Sequence, residues 1–148
     1  MPTVRTSVVI PDVDIHHVWD TVCDFEKHPL HMVDVLEIRY LERTAEQALS
    51  SWRVLLNGSE LTWTERDFFS PPNRIDFDQT EGDLEVFRGS WELEQCGTGI
   101  KVTLEIEFDL GIPSLAAVLD PVGVQAIRSN SSSMLTAISE RRPLPATL

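Results

Sequence analysis

The chain has 148 residues, 42% hydrophobic and 24% charged, enough apolar material for one domain around one core and too much for a disordered chain. Twelve Lys and Arg face 24 Asp and Glu, a net charge of −12, and a surface this acidic repels phosphate backbones and anionic lipid heads, which excludes nucleic acid and membrane surfaces as expected partners. The longest apolar run, Leu115 to Leu119, is far below the ~20 residues of a spanning helix, and Val8-Val9-Ile10 is too short for the core of a secretory signal.

Val4 to Ile10 alternates, with Val4, Thr6, Val8 and Ile10 on one side, and reads as a strand. Pro11-Asp12 ends it. Asp12 or Asp14 then caps a helix whose apolar positions Ile15, Val18, Trp19, Val22 and Phe25 keep helical spacing. His28-Pro29 is expected to break that helix, with a second short helix through Met32 and Val33. From there the period is two. Val35 to Leu41, Leu49 to Leu56, Glu60 to Phe69, Arg74 to Thr80, Leu84 to Glu94 and Ile100 to Leu110 read as strands. Asn57-Gly58, Pro71-Pro72-Asn73, Glu81-Gly82-Asp83 and Gly97-Thr98-Gly99 supply turns, and Asn57-Gly58 is the strongest hairpin signal among them. Ile112-Pro113 leads into a short apolar turn. Asp120-Pro121 then offers a cap and a proline at the first helical position, opening a long helix to about Arg141. Arg141-Arg142 suits the C-terminal dipole, and Pro143 ends the helix.

The expected architecture is α+β: a seven-stranded antiparallel sheet curved round the long C-terminal helix, with two short helices after the first strand. It forms a single domain over residues 1–148, of which 143–148 are a short tail, and the expected location is the cytoplasm. Cys23 and Cys96 are too few and too far apart for a zinc site or a disulfide framework, so no metal is expected. The acids Asp76, Asp78, Glu81, Asp83, Glu85, Glu92, Glu94, Glu105, Glu107 and Asp109 read as the solvated face of the sheet.

A curved sheet gripping a helix leaves an internal cavity, expected at roughly 300–1,000 Å³, and parity says what lines it. Leu61, Trp63, Glu65 and Asp67 share one face of their strand, while Thr62, Thr64, Arg66 and Phe68 share the other. Trp52 groups with Val54 and Leu56, and Phe87 with Trp91 and Leu93. Core packing accounts for aromatics taken singly, but Trp63 has carboxylates beside it on the same face. If Glu65 and Asp67 both point inward, desolvation and mutual repulsion raise at least one pKa, as a general acid or base near neutrality requires. A strand that frays or bulges after Trp63 would instead leave one or both in water at the rim. His28 and His31 flank Pro29, where a cavity mouth would let them transfer protons. Asn130 or Ser131 falls on the inward stripe of the last helix and needs a water or a ligand as partner.

The segments IHHVWDTVCDFEKHP, LTWTERD and FRGSWELEQCGTGIKVTLEIEFDLGIP, with the closing N…ML.AI pattern, resemble the START-like helix-grip (SRPBCC) superfamily. Within it they resemble the polyketide cyclase/dehydrase branch that includes bacterial aromatase/cyclases. The resemblance implies an enzyme that folds a poly-β-ketone chain in a hydrophobic cavity and promotes intramolecular aldol closure and dehydration. Trp63 and Trp91 correspond to pocket tryptophans, and Arg66 lies close to the family's pocket arginine. Arg66 is out of phase with Trp63, so a bulge is expected to bring both Glu65 and Arg66 to the cavity. Glu65 or His28 is the expected base, with Arg66 or Asn130 stabilising the enolate. Trp52, Trp63, Asp67, Phe87, Trp91, Asn130 and Met32 are the expected substrate contacts. No cofactor is implied. The expected partner is a hydrophobic substrate, which the aromatase/cyclases take from an acyl carrier protein, and the expected state is a monomer or homodimer. The alternative function is non-catalytic carriage of a quinone or lipid.

Overall fold

A computed structural model, whose described residues are 1–112 and 116–141, turns the first alternating run into strand β1, Thr3–Ile10. Helix α1, Ile15–Cys23, follows, and the Asp14 side chain accepts from the His16 backbone N–H at 2.7 Å to cap it. Its stripe of Val18, Trp19 and Val22 is buried. The helix stops at Asp24, before the expected break, and the chain tightens into a 3-10 helix, Phe25–Leu30. Pro29 lies inside that turn because its fixed φ suits 3-10 geometry. The second short helix therefore precedes Met32 and Val33 rather than containing them. Phe25 holds it in place: fully buried, it stacks on Tyr40 with centroids 5.2 Å apart and meets Trp52 at 5.1 Å.

Six strands then run in sequence: β2 Val35–Arg43, β3 Gln47–Leu56, β4 Ser59–Ser70, β5 Arg74–Gly82, β6 Val86–Cys96 and β7 Gly99–Asp109. They form an antiparallel meander closed by β1, in the order β1-β7-β6-β5-β4-β3-β2. At the β3–β4 turn Asn57 and Gly58 take φ of 51° and 81°, the two left-handed positions that a two-residue hairpin requires. This turn sets Trp52 opposite Trp63 and Ser50 opposite Glu65.

Between β4 and β5 the register shifts: Thr64 pairs with Glu81, and Glu65 with Gln79. The extra residue is Thr80, on β5. The bulge expected on β4 is absent, and β4 keeps strict alternation past Glu65, Arg66 and Asp67.

Helix α2, Ala116–Glu140, starts earlier than expected and carries Pro121 inside it. A proline six residues from the start deletes only one intrahelical bond, which leaves the preceding Ala116-Ala117-Val118-Leu119 run, rich in helix formers, free to extend the helix backwards. The short apolar turn expected between Pro113 and Asp120 is helical from Ala116 on, and Pro113 to Leu115 lie outside the described residues, as do Arg142, Pro143 and the tail. α2 buries Ile127, Ser131, Met134, Leu135 and Ile138, a helical stripe packed against β1, β3 and β7. None of the ten acids named above is buried, and two of the pairs they form are Arg74 with Glu92 and Arg88 with Glu107.

Candidate functional site

Because β4 alternates without interruption, Trp63, Glu65, Asp67 and Phe69 all face inward. β4 continues three residues past Asp67, so there is no fraying to leave that carboxyl at a rim; Glu65 is 2% exposed and Asp67 0%. Trp63 Nε1 donates to Glu65 Oε1 at 2.7 Å. Ser50 Oγ donates to Asp67 Oδ2 at 2.6 Å and accepts from Trp52 Nε1 at 2.9 Å. Asp67 Oδ1 is buried without a conventional donor. Neither carboxyl forms an ion pair among the described residues.

Two uncompensated carboxylates in this space cannot both ionise. Burial first, and then the Asp67 charge, pushes Glu65 well above the usual carboxylate range. Burial also raises Asp67, but hydrogen bonds from Glu65 and Ser50 and the Arg43 charge hold it down. Burial and the neighbouring carboxyl thus favour the protonated form of Glu65 over that of Asp67.

The space in front of Glu65 is nearly full. Trp52 and Trp63 stack at 5.5 Å, Trp63 meets Phe87 at 4.6 Å, and Phe87 meets Phe77 at 5.9 Å. What remains is a cavity of about 30 Å³, bounded by Trp52, Trp63, Glu65, Phe87, Trp91 and Asn130, with Met134 on α2. It has room for about one water, far less than the expected volume, because the aromatics that parity sends inward occupy the space themselves. Asp67, expected as a substrate contact, does not line this cavity.

Three expected site residues lie elsewhere. Arg66 points to the outer face and pairs with Glu42 at 3.0 Å, as the unbulged strand dictates. Met32 is 2% exposed but packs in the core away from the cavity, its N–H bonded to the His28 carbonyl at 2.9 Å. His28 is fully buried rather than at a mouth. Its Nε2 bonds the Val22 carbonyl at 3.0 Å, and its Nδ1 meets the Arg141 guanidinium at 2.9 Å. A guanidinium only donates, so Nδ1 is the acceptor and Nε2 carries the proton. His17 Nε2 donates to the Arg141 carbonyl at 2.9 Å. The cluster clamps the end of α2 and does not line the Glu65 cavity.

Burial, and then the Arg141 charge, lowers His28 to about 3 from 6.5. The unfolded chain therefore takes up the proton first. The His28 contribution to stability is complete above pH 6.5 and falls as pH drops towards 3, by up to about 1.4 kcal/mol per pH unit. Thermal melts across this window are expected to show a shallower acid decline in His28→Gln than in the wild type; parallel declines would contradict the assignment.

Sequence reasoning passed over several residues of the site. Ser50 shares parity with Trp52, and a serine at an inward position was the available signal. Phe77 follows Ile75 by alternation. A groove of about 490 Å³ outside the cavity was not foreseen; it is bounded by Asp34, Leu55, Asn57, Val122, Gln125 and Ser129, together with Asn130. Asn130 lines both spaces, and its Nδ2 lies 3.5 Å from the Leu55 carbonyl.

A long helix gripped by a curved antiparallel meander, with an acid pair and aromatics between them, defines a START-like (SRPBCC) helix-grip protein. Residues 11–135 match the family described as polyketide cyclase / dehydrase and lipid transport, and the chain belongs to it. No curated protein sequence matches. Among solved structures it is similar to TTHA0849 from Thermus thermophilus, with 26% identity over 95% of this chain and 96% of that one, and a TM-score of 0.87. It shares the fold of the Zhui aromatase/cyclase from Streptomyces sp. R1128, with 16% identity over 94% and 92% of the two chains and a TM-score of 0.80. A START superfamily protein from Mycobacterium smegmatis has 17% identity over 95% and 96%, with a TM-score of 0.73.

Proposed function

We propose that this chain is a cyclase or dehydratase acting on a hydrophobic carbonyl compound, with Glu65 and Asp67 as its proton-transfer pair. The observation that carries the proposal is a pair of buried carboxyls, neither in an ion pair among the described residues, with Glu65 at an aromatic-lined cavity and its pKa raised by burial. Glu65 passes its proton to Asp67 and takes the α-proton of the ligand, leaving an enolate that the Asn130 amide can stabilise. The enolate carbon attacks a second carbonyl, and Glu65 protonates the new alkoxide. In dehydration the α-proton again goes to Glu65, which delivers a proton to the departing hydroxyl. Water leaves, and Asp67 returns its proton to Glu65. The aromatics hold the flexible chain in one reactive conformer, and Asn130 and Met134 must swing aside to admit a ring.

Incubation with a synthetic aromatic β-hydroxyketone, followed by enone absorbance, is expected to show accelerated loss of water. No acceleration across a panel of such compounds would overturn the proposal. The family's lipid-transport side favours a second reading, in which Glu65 only donates a hydrogen bond to a cargo carbonyl. Its signature is saturable binding without turnover.

A further inference from the structure

The groove of about 490 Å³ between the first half of α2 and the β3–β4 hairpin shares one lining residue, Asn130, with the Glu65 cavity. The 3.5 Å contact that holds Asn130 to Leu55 is at the limit of hydrogen bonding, so it costs little to break. The groove walls are chemically mixed. Leu55, Val122 and Ala126 offer apolar surface, while Asn57, Gln125 and Ser129 offer neutral donors and acceptors. Asp34 is the only charge, and no lysine or arginine lines the groove among the described residues. Arg128, the only cation of α2, is not part of the lining. With a net charge of −12 on the whole chain, a phosphate, a carboxylate or an acidic carrier protein arriving here meets a negative field with nothing to compensate it.

We infer that this groove is the outer half of the ligand site, taking the uncharged body of a carbonyl compound that arrives free in solution. The acyl carrier protein expected from the family resemblance is not the delivering partner. The link to Glu65 rests on the function proposed above; the charge preference of the groove does not.

The test is a tryptophan-fluorescence titration with three probes of one shape: acetylnaphthalene, naphthoate and naphthylmethylamine. At low ionic strength acetylnaphthalene is expected to bind at least about tenfold more tightly than naphthoate, with the gap narrowing as salt screens the field. Gln125→Lys and Ser129→Lys are each expected to raise the affinity for naphthoate relative to acetylnaphthalene several-fold. Equal affinity for ketone and carboxylate at low salt, or no response to either lysine, would overturn the inference. Equally fast turnover of a carrier-protein-tethered ketide would overturn it while supporting the cyclase reading. The predicted charge preference without any turnover supports the groove and rejects the cyclase reading. Silence with all three probes overturns both.

Discussion

Glu65→Gln is expected to lower turnover roughly 10²–10⁴-fold, the range of a lost general acid–base group, while the protein stays folded and binds ligand as before. Glutamine keeps the volume and neutrality of the protonated acid. Its carbonyl can still accept from Trp63 Nε1, and its amide N–H can still donate to the otherwise orphaned Asp67 Oδ1. What it cannot do is release a proton. A pH dependence of stability accompanies this loss. The folded Glu65 pKa lies well above its ordinary 4.5, so its contribution to stability is complete below 4.5 and disappears as pH rises through the folded value. The wild type is expected to lose stability as pH rises above 4.5 towards the folded value, and Glu65→Gln to flatten that limb. A variant with full turnover and an unchanged pH–rate profile would make Glu65 a structural residue.

Trp63→Ala is expected to cost about 3–5 kcal/mol, the range for removing a large buried aromatic, read as a lower urea midpoint. The ring is 8% exposed and lies between Trp52 and Phe87, and its Nε1 is the donor to Glu65 Oε1. Truncation removes packing and polar support together. It also opens a space shaped like the missing ring beside a cavity of only about 30 Å³. Added indole is expected to occupy that space and raise the melting temperature of Trp63→Ala with concentration, as linkage requires, while leaving the wild type unmoved. If indole has no effect on the variant, the aromatic cluster is not the close-packed unit described here.

The strands were legible because turns and alternation agree at each boundary: Asn57-Gly58 fixes one hairpin, and parity on β4 correctly sends Trp63, Glu65 and Asp67 inward. Parity states direction and not volume, so it could not show that Trp52, Trp63 and Phe87 would close the cavity they line. Asp120-Pro121 carries two helix-start signals, and both were overridden by the helix formers before them. His28 was unreadable for a different reason. Its partner Arg141 lies 113 positions away, and a residue next to a proline gives no hint that such a contact buries it. The family resemblance supplied an arginine near position 66, but alternation decided where its side chain points. The carboxyl pair needed both kinds of information, with parity placing Glu65 and Asp67 inward and the fold forming no ion pair with either among the described residues.

The central claim is that Glu65 holds a proton at neutral pH and shares it with Asp67. Carbon-13 NMR of selectively labelled glutamate side-chain carboxyls, followed through a pH titration, tests it most directly. One glutamate signal is expected to keep the shift of a protonated acid at neutral pH and to vanish in Glu65→Gln. A spectrum in which every glutamate titrates in the ordinary carboxylate range would contradict the account.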